Sequence, residues 1–191
     1  RDTVQGFENL TGSAFADILT GNIGANVVLG AGGDDVIIGE GGADTLDGGA
    51  GTDTVDYNLA AAGVNANLTT GLATDDGDGS ADTLANFENI TGSAFNDVLT
   101  GEAGANIILG GNGNDTIAGR GGVDTLTGGA GTDTADYSGA AAGVTASLIT
   151  AAASNDGDGS SDTLNSFENL TGSGFADSLE GEAGANVLTG N

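Results

Sequence analysis

The chain has 191 residues, 28 of them acidic and two basic, for a formal net charge of −26 at pH 7. That balance excludes nucleic acid as a partner, because no Lys/Arg surface exists to displace counterions from phosphate, and the absence of Cys excludes disulfides. Apolar residues make up 38% of the chain and recur too regularly for a solvated acidic tail, while no apolar run approaches the ~20 residues of a membrane span.

The first residues, Arg1-Asp2-Thr3-Val4, resemble the later stretch Ala81-Asp82-Thr83-Leu84 and read as the tail of a preceding repeat unit. From Gly12 the chain falls into nine-residue frames: GSAFADILT, GNIGANVVL, GAGGDDVII, GEGGADTLD and GGAGTDTVD, ending at Asp56. Position 1 is Gly, position 4 is usually Gly, position 6 is Asp or Asn, and position 8 is aliphatic. Position 8 reads Leu19, Val28, Ile37, Leu46 and Val55. One inward aliphatic in nine residues cannot line a helix with its 3.6-residue period. It fits a three-residue strand whose middle side chain points inward, with the other six residues forming a turn. Glycine supplies the left-handed backbone such a turn needs, and 38 glycines disfavour helix throughout.

Residues 57–91 break the frame. They carry Tyr57, then AAAGV, an alternating Val64, Ala66, Leu68 against polar Asn65 and Asn67, an acidic DGDGS loop, DTL and FEN. The alternation predicts a half-buried strand. Leu84, Phe87 and Ile90 add apolar positions, so the connector is expected to form wider coils of the same stack instead of a linker. The pattern then starts again. Residues 92–171 match 12–91 at 52 of 80 positions without a gap, with frames over 92–136, position-8 residues Leu99, Ile108, Ile117, Leu126 and Ala135, and a second connector over 137–171. A third unit opens at Gly172. A fixed period of this kind predicts one continuous solenoid, two frames to a coil, with coils ~4.8 Å apart. Four coils per unit would advance it ~19 Å.

Two frames apart means one coil apart on the same side. Position-6 side chains then face one another across a gap: Asp17 with Asp35, Asp35 with Asp53, Asn26 with Asp44, and in the second unit Asp97 with Asp115, Asp115 with Asp133, Asn106 with Asp124. Bare carboxylate rows repel. A hard divalent cation between them removes the repulsion, and calcium accepts carboxylates and turn carbonyls together, whereas magnesium retains its waters. Zinc would want His or Cys, and the chain has neither. The acidic loops are a separate case. Asp75–Asp82 and Asn155–Asp162 begin like a helix–loop–helix calcium loop, but the required Gly falls on Ala81 and the required Glu on Phe87. Asp76, Asp78, Asp156 and Asp158 therefore read either as a solvated turn or as a further calcium site.

The frame GGxGxDxUx, where U is a large aliphatic residue, resembles the calcium-binding nonapeptide of RTX (repeats-in-toxin) proteins. GGAGTDTVD at Gly48, its counterpart at Gly128 and GGNGNDTIA at Gly110 match it in full. The frames at Gly30, Gly39 and Gly119 differ only at position 2, where Ala31, Glu40 and Arg120 stand. Frames at Gly12, Gly92 and Gly172 have Phe at position 4, and those at Gly21, Gly101 and Gly181 have Asn at position 6, so they read as weaker sites. The resemblance implies an all-β fold, a right-handed parallel β-roll with calcium between adjacent turns. It implies as ligands the carboxylates of Asp17, Asp35, Asp44, Asp53, Asp97, Asp115, Asp124 and Asp133. It adds carbonyls near position 1 (Gly30, Gly39, Gly48, Gly110, Gly119, Gly128) and position 3 (Gly32, Gly41, Ala50, Asn112, Gly121, Ala130). It also implies export from a Gram-negative bacterium by type I secretion.

Without His, Cys or Lys the usual bases and nucleophiles of catalysis are missing, and no enzyme is expected. The expectation is a calcium-dependent extracellular or cell-surface structural array that could stack end to end. The alternative is the calcium-binding folding and export module of a secreted enzyme or toxin.

Overall fold

The computed structural model describes residues 7–191; the stretch Arg1–Val4 likened above to a unit tail lies outside them. Each nonapeptide contributes one strand that begins at position 7, where branched and aliphatic side chains replace the glycines of the turn; the strands are three residues long except at Ile107–Asn112 and Thr125–Ala130. After β1 (Asn9–Thr11) the first block gives β2 (Ile18–Thr20), β3 (Val27–Leu29), β4 (Val36–Ile38), β5 (Thr45–Asp47) and β6 (Thr54–Asp56). Strands two apart in sequence pair in parallel and in register: Ile18 with Val36, Val27 with Thr45, Val36 with Thr54. In this block odd strands build one sheet and even strands the other. The chain is thus a parallel β-roll, with two frames per coil as the period predicts.

The core is the file of position-8 residues between the sheets. Val28, Ile37, Leu46, Val55, Leu99, Ile108, Ile117, Leu126 and Ala135 are fully buried, and Leu19 nearly so. Their neighbours at positions 7 and 9 face outward. Each coil therefore buries two aliphatic side chains, at ~1.5–3 kcal/mol apiece. That is a thin core for two six-residue turns.

The connector departs from the expected wide coils. It holds β7 (Asn65–Asn67), β8 (Leu72–Asp75), β9 (Asp82–Ala85) and β10 (Asn89–Thr91). β10 continues the coil, pairing in parallel with β6, and β9 does the same with β5. Between them, β7, β8 and β9 form an antiparallel meander inside one sheet, in the order β5-β9-β8-β7. Val64 and Ala66 turn inward as the alternation predicted, and Leu84, Phe87 and Ile90 are buried. The reversal comes from the tight turn at Thr69–Gly71, where Gly71 is left-handed (φ 67°). One polar-flanked strand in a sequence does not disclose which neighbour it will pair with.

Residues 12–91 accordingly hold nine strands, four in one sheet and five in the other. Because β7, β8 and β9 share one sheet, the unit winds through seven half-coils, three and a half coils where four were expected. The odd count has a topological result. The second unit runs β11 (Val98–Thr100), β12 (Ile107–Asn112), β13 (Thr116–Ala118), β14 (Thr125–Ala130), β15 (Thr134–Asp136), β16 (Thr145–Ser147), β17 (Ala152–Asn155), β18 (Asp162–Asn165) and β19 (Asn169–Thr171). Its first strand, β11, lies in the sheet opposite to that of its counterpart β2, and its meander β16-β17-β18 sits in the opposite sheet to β7-β8-β9. Successive units are related by a half-turn. β20 (Ser178–Glu180) and β21 (Val187–Thr189) begin the third unit by the same rule.

The six frames with Gly at position 4 and Asp at position 6, starting at Gly30, Gly39, Gly48, Gly110, Gly119 and Gly128, count as the full frames whatever stands at position 2, and their turns share a backbone. Positions 2 and 4 are both left-handed: Ala31 and Gly33, Glu40 and Gly42, Gly49 and Gly51, Gly111 and Gly113, Arg120 and Gly122, Gly129 and Gly131. Ala31 adopts φ 79° with a side chain present. Its replacement Ala31→Gly is expected to stabilise the calcium-loaded fold by roughly 0.5–1 kcal/mol, after allowance for the freer unfolded chain. Denaturant midpoints in calcium measure it, and a lower midpoint would show that the turn is not strained there.

Candidate metal centre

The turns stack into two rows, one along each side of the sheets. In each row the position-6 carboxylate is fixed from the preceding coil. The backbone N–H of Asp17 donates to Asp35 Oδ1 (2.8 Å), that of Asp35 to Asp53 Oδ1 (2.7 Å), and that of Asn26 to Asp44 Oδ1 (2.8 Å). In the second unit Asp97 N donates to Asp115 Oδ1 (2.9 Å), Asp115 N to Asp133 Oδ1 (2.8 Å) and Asn106 N to Asp124 Oδ1 (2.8 Å). The facing pairs predicted from the spacing are all brought together by this ladder.

One oxygen of each carboxylate is thereby used. The other is not. Oδ2 of Asp35, Asp44, Asp53, Asp115, Asp124 and Asp133 is buried and has no hydrogen-bond partner, in residues at most 2% exposed. A buried carboxylate oxygen without a partner is costly, and six in equivalent places point to a missing cation.

The turn shape supplies the rest of the donor set. A Cβ built on Gly110 would collide with Asp115 Oδ2 and with the carbonyl oxygen of Gly128 in the next coil. Glycine at position 1 thus lets the carboxylate and the next carbonyl close on one gap. The same overlap places Gly48 O against Gly30. Position-3 carbonyls are partly engaged, since Ala50 O and Ala130 O accept from Gly33 N and Gly113 N at 2.9 Å, which leaves each a second lone pair. Among the described residues no three acidic side chains form a ready-made cage. Each gap instead combines two facing carboxylates with carbonyls, the oxygen-only set that suits calcium.

Asp17 and Asp97 differ from the other six. Their carboxylates turn back on their own frame: Asp17 Oδ2 accepts from Ser13 N, and Asp97 takes Ser93 N, Ser93 Oγ and Val64 N. Neither has an orphan oxygen. Asn26 and Asn106 do the same, accepting from Asn22 N and Glu102 N. Of the frames marked weak by Phe at position 4, the two at Gly12 and Gly92 thus leave no buried carboxylate oxygen unpartnered, whereas Asp177 of the frame at Gly172 keeps an orphan Oδ2.

The ladder also runs through residues that the frame pattern does not mark. Asp44 N donates to Asp82 Oδ1 (2.9 Å) and Asp124 N to Asp162 Oδ1 (3.1 Å). Asp53 N and Asp133 N donate to Glu88 Oε2 and Glu168 Oε2 (2.7 and 2.8 Å). A signal existed for the aspartates, because Asp82-Thr83-Leu84 repeats the Asp44-Thr45-Leu46 of a frame. None existed for the glutamates, which reach the row from the FEN turn with a longer side chain. Tyr57 and Tyr137, buried at the head of each connector, donate to Asp82 Oδ2 (3.2 Å) and Asp162 Oδ2 (2.9 Å).

Burial raises these carboxyls, and like charges across the gap raise them further, against the pull of the backbone N–H bonds. Asp44 and Asp115 are pushed up to about 6 and Asp124 to about 7, with Asp97 and Asp133 the charged neighbours of Asp115. Asp53 and Asp133 shift the same way for the same reason. Carboxyls held above their ordinary range at Asp44, Asp53, Asp115, Asp124 and Asp133 are the electrostatic mark of a site suited to a cation.

The model of the RTX calcium-binding nonapeptide repeat matches residues 2–37, 20–55, 82–117, 103–135 and 165–191, more than half of the chain. The chain belongs to the RTX calcium-binding nonapeptide repeat family. Curated proteins offer no significant match to it. Family membership and the orphan oxygens agree: RTX repeats bind calcium, and this RTX chain presents buried, unpartnered carboxylate oxygens at the position-6 aspartates of its full frames. Among its described residues no helix is long and apolar enough to cross a membrane.

Proposed function

We propose that this RTX chain is a calcium-dependent structural array of an extracellular or cell-surface protein. The file of orphan Oδ2 atoms at Asp35, Asp44, Asp53, Asp115, Asp124 and Asp133 carries the reading. Calcium bound there supplies positive charge shared between coils and ties each turn to the next. The ligands assigned to it are those six carboxylates with the carbonyls at positions 1 and 3 of the same frames. The chain's own residues do the positioning. Backbone N–H groups orient the carboxylates, position-1 glycines make room, and the aliphatic file holds the sheets together. RTX repeats are typical of secreted proteins of Gram-negative bacteria, and extracellular calcium would complete the fold after export.

The array reading rests on continuity. β11 of the second unit pairs directly with β7 of the first, and β16 with β20 across the next junction. A unit thus hands its open edge to the next, and end-to-end addition of further copies uses the same edge. Light scattering and electron microscopy of calcium-loaded protein at rising concentration test this. Growth into fibres that dissolve in chelator is the expected result. A folded species that stays monomeric at high concentration would favour the other reading, a folding and export module serving an activity elsewhere in a larger protein.

A further inference from the structure

Each unit has three full frames, and they do not pair off evenly between the two rows. In the first unit the Gly30 and Gly48 turns stack on each other, Asp35 N to Asp53 Oδ1. The Gly39 turn has no full frame beyond it. The next turn in its row is the acidic connector loop, and Asp44 N donates instead to Asp82 at the end of that loop. The half-turn between units repeats this on the other side, where the Gly119 turn meets the loop ending at Asp162.

The loop is built around one carboxylate. Asp76 is fully buried. Its Oδ1 accepts from Asp78 N (2.8 Å) and Ser80 N (3.1 Å), which closes the loop, while its Oδ2 is buried without a partner. Asp156 repeats every part of this arrangement, with Oδ1 bonds to Asp158 N and Ser160 N and an orphan Oδ2. Asp44 and Asp124 across the gap have orphan Oδ2 atoms too. Asp82 is held in place by its bonds from Asp44 N and Tyr57 Oη. Asp76 also lines a small, partly open cavity of about 10 Å³ with Tyr57, Asp56, Asp78 and Glu40, space for one small occupant.

We infer that each connector carries its own calcium site, distinct from the gaps between nonapeptides, in which Asp76 Oδ2 and Asp44 Oδ2 are the charged ligands in the first unit and Asp156 Oδ2 and Asp124 Oδ2 in the second. The site bolts the antiparallel meander to the last unpaired frame of the coil. It deepens the calcium reading above and takes the identity of the ion from it. The two copies are not identical: Asn155 stands where the first loop has Asp75, and Asp156 does not line the corresponding second cavity. Where the first cavity has Glu40, the second has Arg120, which lines it with Asp136 and Asp158 and lies over Gly139. The Arg120 guanidinium beside that cavity opposes a divalent ion, so the second site is expected to bind about tenfold more weakly.

The two tyrosines of the chain flank these two sites, and there is no Trp. Tyrosine-sensitised terbium luminescence therefore reports on the connectors. The test uses the whole chain, Asp76→Asn, Asp156→Asn and the double variant, with terbium as probe, calcium stoichiometry by equilibrium dialysis, and circular dichroism as the check on folding. Asn keeps the Oδ1 acceptor that closes the loop. The expected result is two emission phases in the unsubstituted chain, loss of the tighter in Asp76→Asn and of the weaker in Asp156→Asn. One calcium ion should be lost per substituted connector, with the β signal in calcium retained. Unchanged emission and stoichiometry in the double variant would overturn the inference while leaving the nonapeptide sites standing. If the double variant fails to fold, the single variants decide, and retention of both phases in either overturns it. An unsubstituted chain that neither folds nor binds with calcium would sink this inference and the calcium reading together.

Discussion

Stripped of calcium at pH 8, the chain is expected to lose its sheets, and to regain them in one steep transition when calcium is returned. The terms that decide this are already unequal. The core gains two aliphatic residues per coil, against two six-residue turns and a net charge of −26. Each ion that binds only the folded chain adds about 2.7 kcal/mol at a hundredfold excess over its dissociation constant. Several such ions exceed the ~5–15 kcal/mol by which ordinary domains are stable. Far-UV circular dichroism during a calcium titration measures it, with magnesium as the control. A full β spectrum in chelator would mean that the solenoid is independent of metal.

Acid should do part of calcium's work. In the metal-free fold Asp44 and Asp115 titrate near 6, and Asp82 and Asp124 near 7, all above the unfolded value of 3.8. The folded chain therefore binds more protons than the unfolded chain between about pH 4 and 7. Its stability is greatest below that window and falls as pH rises through the folded-state values. In chelator, lowering the pH from 8 towards 4.5 should recover β signal, and with saturating calcium the same change should give no gain.

The second large effect is a crossover at Asp115. Asp115→Ala removes the acceptor of the buried Asp97 N–H together with a ligand oxygen. It should cost about 1–3 kcal/mol for the stranded donor alone and raise the calcium midpoint further. Asp115→Asn keeps the acceptor and removes the charge. It should raise the calcium midpoint about tenfold, or 1.4 kcal/mol, yet make the metal-free chain easier to fold, because the repulsion from Asp97 and Asp133 is gone. Asn26 and Asn106 show that an amide fits at position 6, since their backbone N–H groups still donate to Asp44 and Asp124. Paired titrations of the three proteins decide it. An Asn variant weakened equally with and without calcium would mean that the carboxylate serves only as a turn cap.

The period of nine made the strands, their inward residues and the facing carboxylates legible, because each depends on local spacing alone. The meander was not legible. Leu72 and Ala73 in β8 carry no alternation that separates an antiparallel return from another forward coil, and the choice depends on which edge β9 finds. The sequence pattern also ranked the frames for a reason that only coordinates supply. Phe15 or Phe95 at position 4 excludes the left-handed backbone there, and Asp17 or Asp97 then folds back onto its own turn. Glu88 and Glu168 lay outside any frame, since a side chain one methylene longer reaches the same row from a different backbone position.

The half-turn between units has a mechanical consequence. A meander adds two extra strands to one sheet, so that flank advances by two more interstrand spacings, ~10 Å, than the flank facing it. Repeated on one side, such steps would bend the stack into an arc. Because nine strands per unit send the next meander to the opposite sheet, each unit undoes the curvature of the one before. The straight module is two units, 160 residues, and a rod built from it would display its connectors on alternate flanks.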